Sequence, residues 1–220
     1  MAEELGKIEK PAVEEFKKGR KLYFVPLIYG GKELPADYLK ILNSYWKQVD
    51  GQISDLELKL GPVNRIYHEL ITSVGEDGLK GLKKLSEKSC EIVEKRIGNG
   101  AQLESVEDIE LLTEFMDWNR CLAIGLQNRK VMEKVYQFYT EASKNREEFI
   151  SNHIDETLKE DEIGILFIGE NYKIKFPTGV EVFYVAPPAL DEMKRWLRDQ
   201  EVKRPDEGTG EADKNEETKS

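Results

Sequence analysis

Residues 49–70 read VDGQISDLELKLGPVNRIYHEL, and the spacing of apolar side chains in this stretch decides how the rest of the chain is read. Val49, Ile53, Leu56, Leu60, Val63, Tyr67 and Leu70 follow one another at alternating steps of four and three, a period that keeps one stripe turned toward a partner helix. Gly61 and Pro62 interrupt the run, yet the stripe continues in register beyond them. The expectation is one kinked helix. No proline occurs from Val63 to Phe176, so long packed helices are expected to make up most of the molecule.

Toward the N-terminus, Leu22–Tyr29 (LYFVPLIY) is aromatic and branched enough for a strand. Pro26 lacks an amide donor and points to an edge position or a bulge, and Gly30 and Gly31 close the segment. Pro35 fits a first helical position, and Tyr38, Leu42, Tyr45 and Trp46 lead into the stripe. Residues 1–19 are charged, with Ile8, Val13 and Phe16 as anchors, and read as a loosely ordered lead-in.

Toward the C-terminus, Leu79, Leu82, Leu85, Ile92 and Val93 mark a second helix that Gly98, Asn99 and Gly100 close. Ser105 and Asp108 start a third, whose spacing runs through Leu111, Phe115, Trp118, Leu122, Met132, Val135, Phe138, Ala142 and Phe149 to Leu158. Unbroken, residues 106–158 would span about 80 Å, twice the roughly 40 Å diameter of a compact chain this size. Gly125 and the polar stretch 143–148 are the candidate breaks. A bent, folded-back bundle is favoured over a projecting antiparallel hairpin, because neither long segment keeps a clean heptad from end to end.

The period changes at Ile163. Ile163–Ile168 (IGILFI) and Val180–Val185 (VEVFYV) are short apolar runs that read as strands covered on both faces. They are expected as parallel neighbours beside the first strand, with a meander through Tyr172–Phe176 as the competing topology. Pro187 and Pro188 open a last helix, with Asp191 and Glu192 early and Lys194, Arg195 and Arg198 late. Residues 201–220 have the mixed-charge, acidic composition of a disordered tail. The expected fold is helix-dominated α/β: a kinked helical bundle or α-hairpin inserted between an N-terminal strand and a C-terminal strand-strand-helix unit, together forming a small, mostly parallel sheet. Its domain spans 20–200, with a strand at 22–29, helices over 36–158 and the closing unit at 163–199.

A net charge of −10 opposes general binding to phosphate backbones. The local basic clusters Lys17, Lys18, Arg20, Lys21 and Lys80, Lys83, Lys84, Lys88 leave RNA or ribosome association as the weakest of three functional expectations, and nucleic acid is not the expected partner. Cys90 and Cys121 read as buried, reduced thiols. The charged residues 1–10 and the absence of a long apolar run point to a cytoplasmic protein without a membrane partner.

Three places carry candidate chemistry. Asn64, Arg65, Tyr67, His68 and Glu69 join a histidine to a carboxylate; the plainer reading is a helix-surface ion pair beside a half-exposed ring. Glu114, Asp117, Trp118, Asn119, Arg120 and Cys121 form a polar knot in an apolar helix. If the two helices face one another, His68, Glu69, Asp117 and Arg120 form a catalytic set, with Tyr67, Asn64 and Trp118 as ligand contacts. Glu170 and Asn171, after the first C-terminal strand, join Gly30, Gly31, Gly169, Ala186 and Pro187 at a sheet edge where α/β folds bind ligands, although such glycines are common strand-ending turns. His153 reads as a surface residue. Neither histidine has the Glu-x-x-His pairing of bundle metal sites, so no metal or cofactor is expected. The leading functional expectation is a non-catalytic interaction or adaptor protein that self-associates or binds a protein partner through its helices and the 49–70 seam. The second is an enzyme or small-ligand sensor built on the two polar knots.

Overall fold

A computed structural model describes residues 17–30 and 34–203, with the side chains of 201–203 left aside. The N-terminal lead-in up to Phe16, Gly31 and the tail from 204 lie outside the described residues. The elements in chain order are β1 (Arg20–Pro26), α1 (Ala36–Leu60), β2 (Arg65–His68), α2 (Gly75–Leu85), α3 (Glu87–Gly98), β3 (Gln102–Glu104), α4 (Ile109–Ala123), α5 (Arg129–Thr157), β4 (Ile163–Ile168), β5 (Val180–Tyr184) and α6 (Pro188–Lys203). All pairings are parallel, in the order β3-β2-β4-β1-β5. The two ends of the described chain therefore meet in one sheet around a helical insertion, as expected.

Side chains alternate between two cores with the strand period of two. Tyr23, Val25, Ile66, Leu103, Ile163, Ile165 and Phe167 face α1, α3 and α6. On the other face, Leu22, Tyr67, Leu166 and Ile168 meet Ile150 and Ile154 from the C-terminal half of α5 and Leu158 just beyond its end. Every residue of β4 is buried, which explains its uninterrupted apolar sequence.

Several expectations are corrected. Helix α1 stops at Leu60, because Gly61 adopts φ 123°, outside helical space, and residues 65–68 continue as a strand between β3 and β4. The 49–70 stripe thus belongs to two elements. Val49 and Ile53 are fully buried within this chain, and Leu56 and Leu60 pack against the same core, so that seam is closed to a second copy. The second helix divides at Ser86, whose side chain accepts from the Ser89 amide and starts α3. Strand β3, with only three residues, gives too short a pattern to read.

The long third helix breaks at residues 124–128 around Gly125, at φ 73°. Asp108 and Asn128 cap the two resulting helices through side-chain bonds to backbone amides, satisfying otherwise unpaired donors. The product is the antiparallel hairpin, not the folded-back bundle. Strand β1 is interior and Pro26 falls at its end, beyond where a central proline would remove a ladder bond. Strand β5 lies at the edge and is largely exposed, and β1 separates it from β4. Tyr172–Phe176 is an irregular connector. Cys90 is buried but Cys121 only half so, both as free thiols, and His153 is half-buried, its ring stacked on Phe149 at 5.9 Å.

Among the described residues no helix is long and apolar enough to cross a membrane. Side chains of the two neighbouring strands crowd Gly164 of β4, where an added Cβ would lie 2.9 Å from Leu22 Cδ1 and 3.1 Å from Tyr67 Cε2. Gly164→Ala is expected to destabilise the fold by about 1–3 kcal/mol through overpacking, measured as a lower urea midpoint with an unchanged slope.

Candidate functional site

The direction of each connection determines where the sheet opens. Chain leaving β1 and β2 enters helices on the α1 face, whereas chain leaving β4 runs over the α5 face. The carboxyl end of β4 is therefore flanked on both sides by switch points, the positions where open parallel sheets form a crevice. Glu69, Gly169 and Tyr172 stand there. Glu69 follows β2 and accepts hydrogen bonds from the Gly169 amide at 2.7 Å and the Tyr172 hydroxyl at 3.3 Å. Burial raises its carboxyl above the usual range, while the Gly169 amide and the nearby Arg146 charge oppose that shift. Tyr172 is pushed up to about 12, first by burial and then by Glu69. The same two causes raise Tyr29, which follows β1.

A second carboxylate anchors the floor. Glu107 accepts from the Leu70 amide at 3.1 Å, fixing a turn in which Leu70 takes φ 66°. It also accepts two hydrogen bonds from Arg146 of α5, one from Nε at 2.8 Å and one from Nη2. Both side chains are withdrawn from solvent, at 0% and 1% exposure. Burial acts to lower the Arg146 guanidinium, but the bonds and charge of Glu107 prevail and hold it raised. The guanidinium carbon lies 4.5 Å from the Tyr172 ring centroid and 5.0 Å from that of Phe115, so two aromatic faces support the cation. Its Nη1 is buried without a hydrogen-bond partner among the described residues.

From this floor an aromatic path climbs the hairpin. Tyr172 lies 6.2 Å from Phe115, Phe115 5.4 Å from Tyr139, and Tyr139 6.5 Å from Tyr136. Because α5 runs antiparallel to the strands, with Leu158 near Gly164 and Arg146 near Glu69, its first half extends past the carboxyl edge of the sheet. The edge and the hairpin meet at a corner, where Phe115 and Arg146 lie against Tyr172. Toward the tip, Ile124, Val131, Met132, Tyr136 and Phe138 are exposed, Tyr136 by 62%.

The structure separates the residues that the sequence had placed together. His68 is fully buried on the opposite face, its Nδ1 donating to the Glu69 carbonyl at 2.8 Å and its Nε2 accepting from the Ser89 hydroxyl at 3.0 Å. Burial holds it at about 4, so it is a neutral core group. Asp117 and Arg120 pair with each other at 2.8 Å, 71% and 69% exposed, and do not converge with His68 or Glu69. Asn64 sits at the amino edge, its Oδ1 accepting from the Ile163 amide, and Tyr67 hydrogen-bonds Thr157 at 2.8 Å. Arg65 pairs not with Glu69 but with Glu104 and Glu162.

Trp118 stacks on Phe138 at 4.8 Å within the hairpin. Glu170 is engaged by Lys194 at 2.8 Å and by the Tyr184 hydroxyl; Asn171 is exposed beside it. The basic clusters are partly neutralised, Arg20 by Asp155, Lys80 by Asp77 and Lys88 by Glu91, while Lys21 is buried. Glu107, Arg146, Tyr29 and Tyr172 were missed, although one signal was present: Ala142, Arg146, Ile150 and Ile154 repeat every four residues along the buried face of α5.

Among the described residues no three His, Cys, Asp or Glu side chains cluster as metal ligands. The carboxyl end of the sheet offers a carboxylate with raised affinity for its proton, tyrosine hydroxyl groups and aromatic faces. No family model matches this chain, and neither a curated protein nor a solved structure matches it.

Arg146→Ala is expected to cost about 3–5 kcal/mol because it strands a buried carboxylate, whereas Arg146→Met with Glu107→Leu recovers much of that loss; denaturant unfolding of both variants measures the difference. His68 makes a contribution of opposite sense to that of Glu69. With its folded value near 4 against 6.5 unfolded, its stabilisation is complete above pH 6.5 and is lost as pH falls toward 4, an effect of roughly 3 kcal/mol. Unfolding of wild type and His68→Gln from pH 4 to 7 checks this: the variant loses that part of the pH slope.

Proposed function

We propose that this protein is a non-catalytic interaction protein whose working surface is the corner between the carboxyl edge of the sheet and the α4–α5 hairpin. The partner is a protein segment bearing apolar side chains. The observation that carries this reading is the aromatic path from half-buried Tyr172 to exposed Tyr136, continued by Met132 and Ile124 at the tip. Protein interfaces concentrate their binding energy in tyrosine, methionine and other large side chains held by a rigid base. Here the base is α5 itself, whose other half is packed on the sheet. The adaptor role expected from the sequence is thereby moved from the 49–70 seam, which the fold consumes, to the hairpin.

Photocrosslinking provides the test. A photoreactive residue replacing Tyr136 is expected to give a discrete protein adduct in cells, absent when the same residue replaces exposed Lys84 of α2. Glutamate at both Met132 and Phe138 weakens that association by about tenfold or more, as loss of interface anchors does, without altering the circular dichroism. An adduct pattern identical at the two positions removes the proposal.

A further inference from the structure

We propose that β5 is a self-pairing strand through which two copies of this chain join their sheets edge to edge. The sheet has two edges, and they are not equivalent. Strand β3 has three residues, and Arg65 bonds both the Gln102 and Glu104 side chains there, at 2.7 and 2.6 Å. It is short and polar, as protected edges are. Strand β5 has five residues, VEVFY, with neither a lysine nor a proline among them.

Its free hydrogen-bonding groups can be assigned from register. The Val185 amide donates to the Phe24 carbonyl at 2.8 Å, and in a parallel pair alternate residues turn to the same neighbour. Glu181 and Phe183 therefore bond to β1, and the main-chain groups of Val182 and Tyr184 point away from the sheet. Among the described residues no strand pairs with that side. The side chains repeat the asymmetry, because Val182 is 37% and Tyr184 52% exposed, an apolar stripe beside an open ladder.

What fits an open ladder is an extended strand, and β5 is complementary to itself. With a two-fold axis through Val182, antiparallel pairing places Val182 opposite Val182 of the partner subunit and Tyr184 opposite Val180 of the partner subunit. Aromatic and β-branched residues are favourable cross-strand neighbours. The one charged residue, Glu181, then faces Phe183 of the partner subunit instead of a like charge. Val182 amides and carbonyls exchange bonds between copies, and each Tyr184 amide reaches the Val180 carbonyl of the other, with no bond to β1 broken. Two five-stranded sheets become one of ten.

The test is sedimentation equilibrium of the full chain, with amide exchange read at Val182 and Tyr184. Wild type is expected to form a concentration-dependent dimer whose two amides become protected as it assembles. Val182→Pro deletes an outward amide and no bond to β1; it is expected to weaken the dimer by about 100-fold or more, a loss of about 2.7 kcal/mol. Its far-ultraviolet circular dichroism stays that of wild type. Should proline disturb the strand, Val182→Lys, a natural edge guard, gives the same dissociation with the fold intact. A wild type that stays monomeric overturns the proposal. If its amides are nevertheless protected, the occupant is the chain's own terminal segment; if they exchange freely, the edge is open or reserved for a foreign strand. A dimer indifferent to both substitutions also overturns it.

Discussion

The ion pair between Glu107 and Arg146 ties three parts of the molecule together in a place where water cannot help. Its carboxylate holds the turn after β2 through the Leu70 amide, and its guanidinium fixes α5 over the carboxyl end of the sheet. Taking two charges out of water costs several kcal/mol each, so the pair cannot be treated as free stabilisation. What it constrains is geometry: α5 is held at the depth and rotation at which Arg146 meets both carboxylate oxygens. Once that is set, Ile150, Ile154 and Leu158 fall onto Leu22, Tyr67 and Leu166, and the hairpin takes its direction.

Much of this fold is written in local patterns, and the misreadings have physical causes. The six residues of β4 are buried on both faces and form a wholly apolar run, so Ile163–Ile168 was legible to the residue. Val180–Val185 looks the same by composition, yet its strand is an exposed edge, because branched and aromatic residues suit a pleated strand whether or not a neighbour covers it. The stripe from Val49 to Leu70 misled because Val63 and Tyr67 fall by coincidence at helical steps. They lie in separate cores on opposite faces of the sheet, and Gly61 has already left helical space.

The candidate site was half legible. Glu69 was singled out as a partner of His68, Asp117 and Arg120, but its hydrogen-bonding neighbours are Gly169 and Tyr172, more than ninety residues away in sequence. No local pattern reports which strand will lie beside β2. Arg146 was hidden for another reason: a charged residue inside 143–148 counts toward a solvent-facing break, although its spacing from Ala142 and Ile150 puts it on the packed side of α5. A polar residue at an apolar position implies a buried partner, and Glu107 beside buried Val106 is that partner.

Helix α5 runs without interruption from Arg129 to Thr157, so its two halves cannot turn independently. Tyr136 stands about 15 Å along the axis from Arg146 at 1.5 Å per residue. The rod therefore acts as a lever with the buried pair as its fulcrum. A load applied near the tip is delivered as torque on Glu107 and, through it, on the turn that holds Glu69.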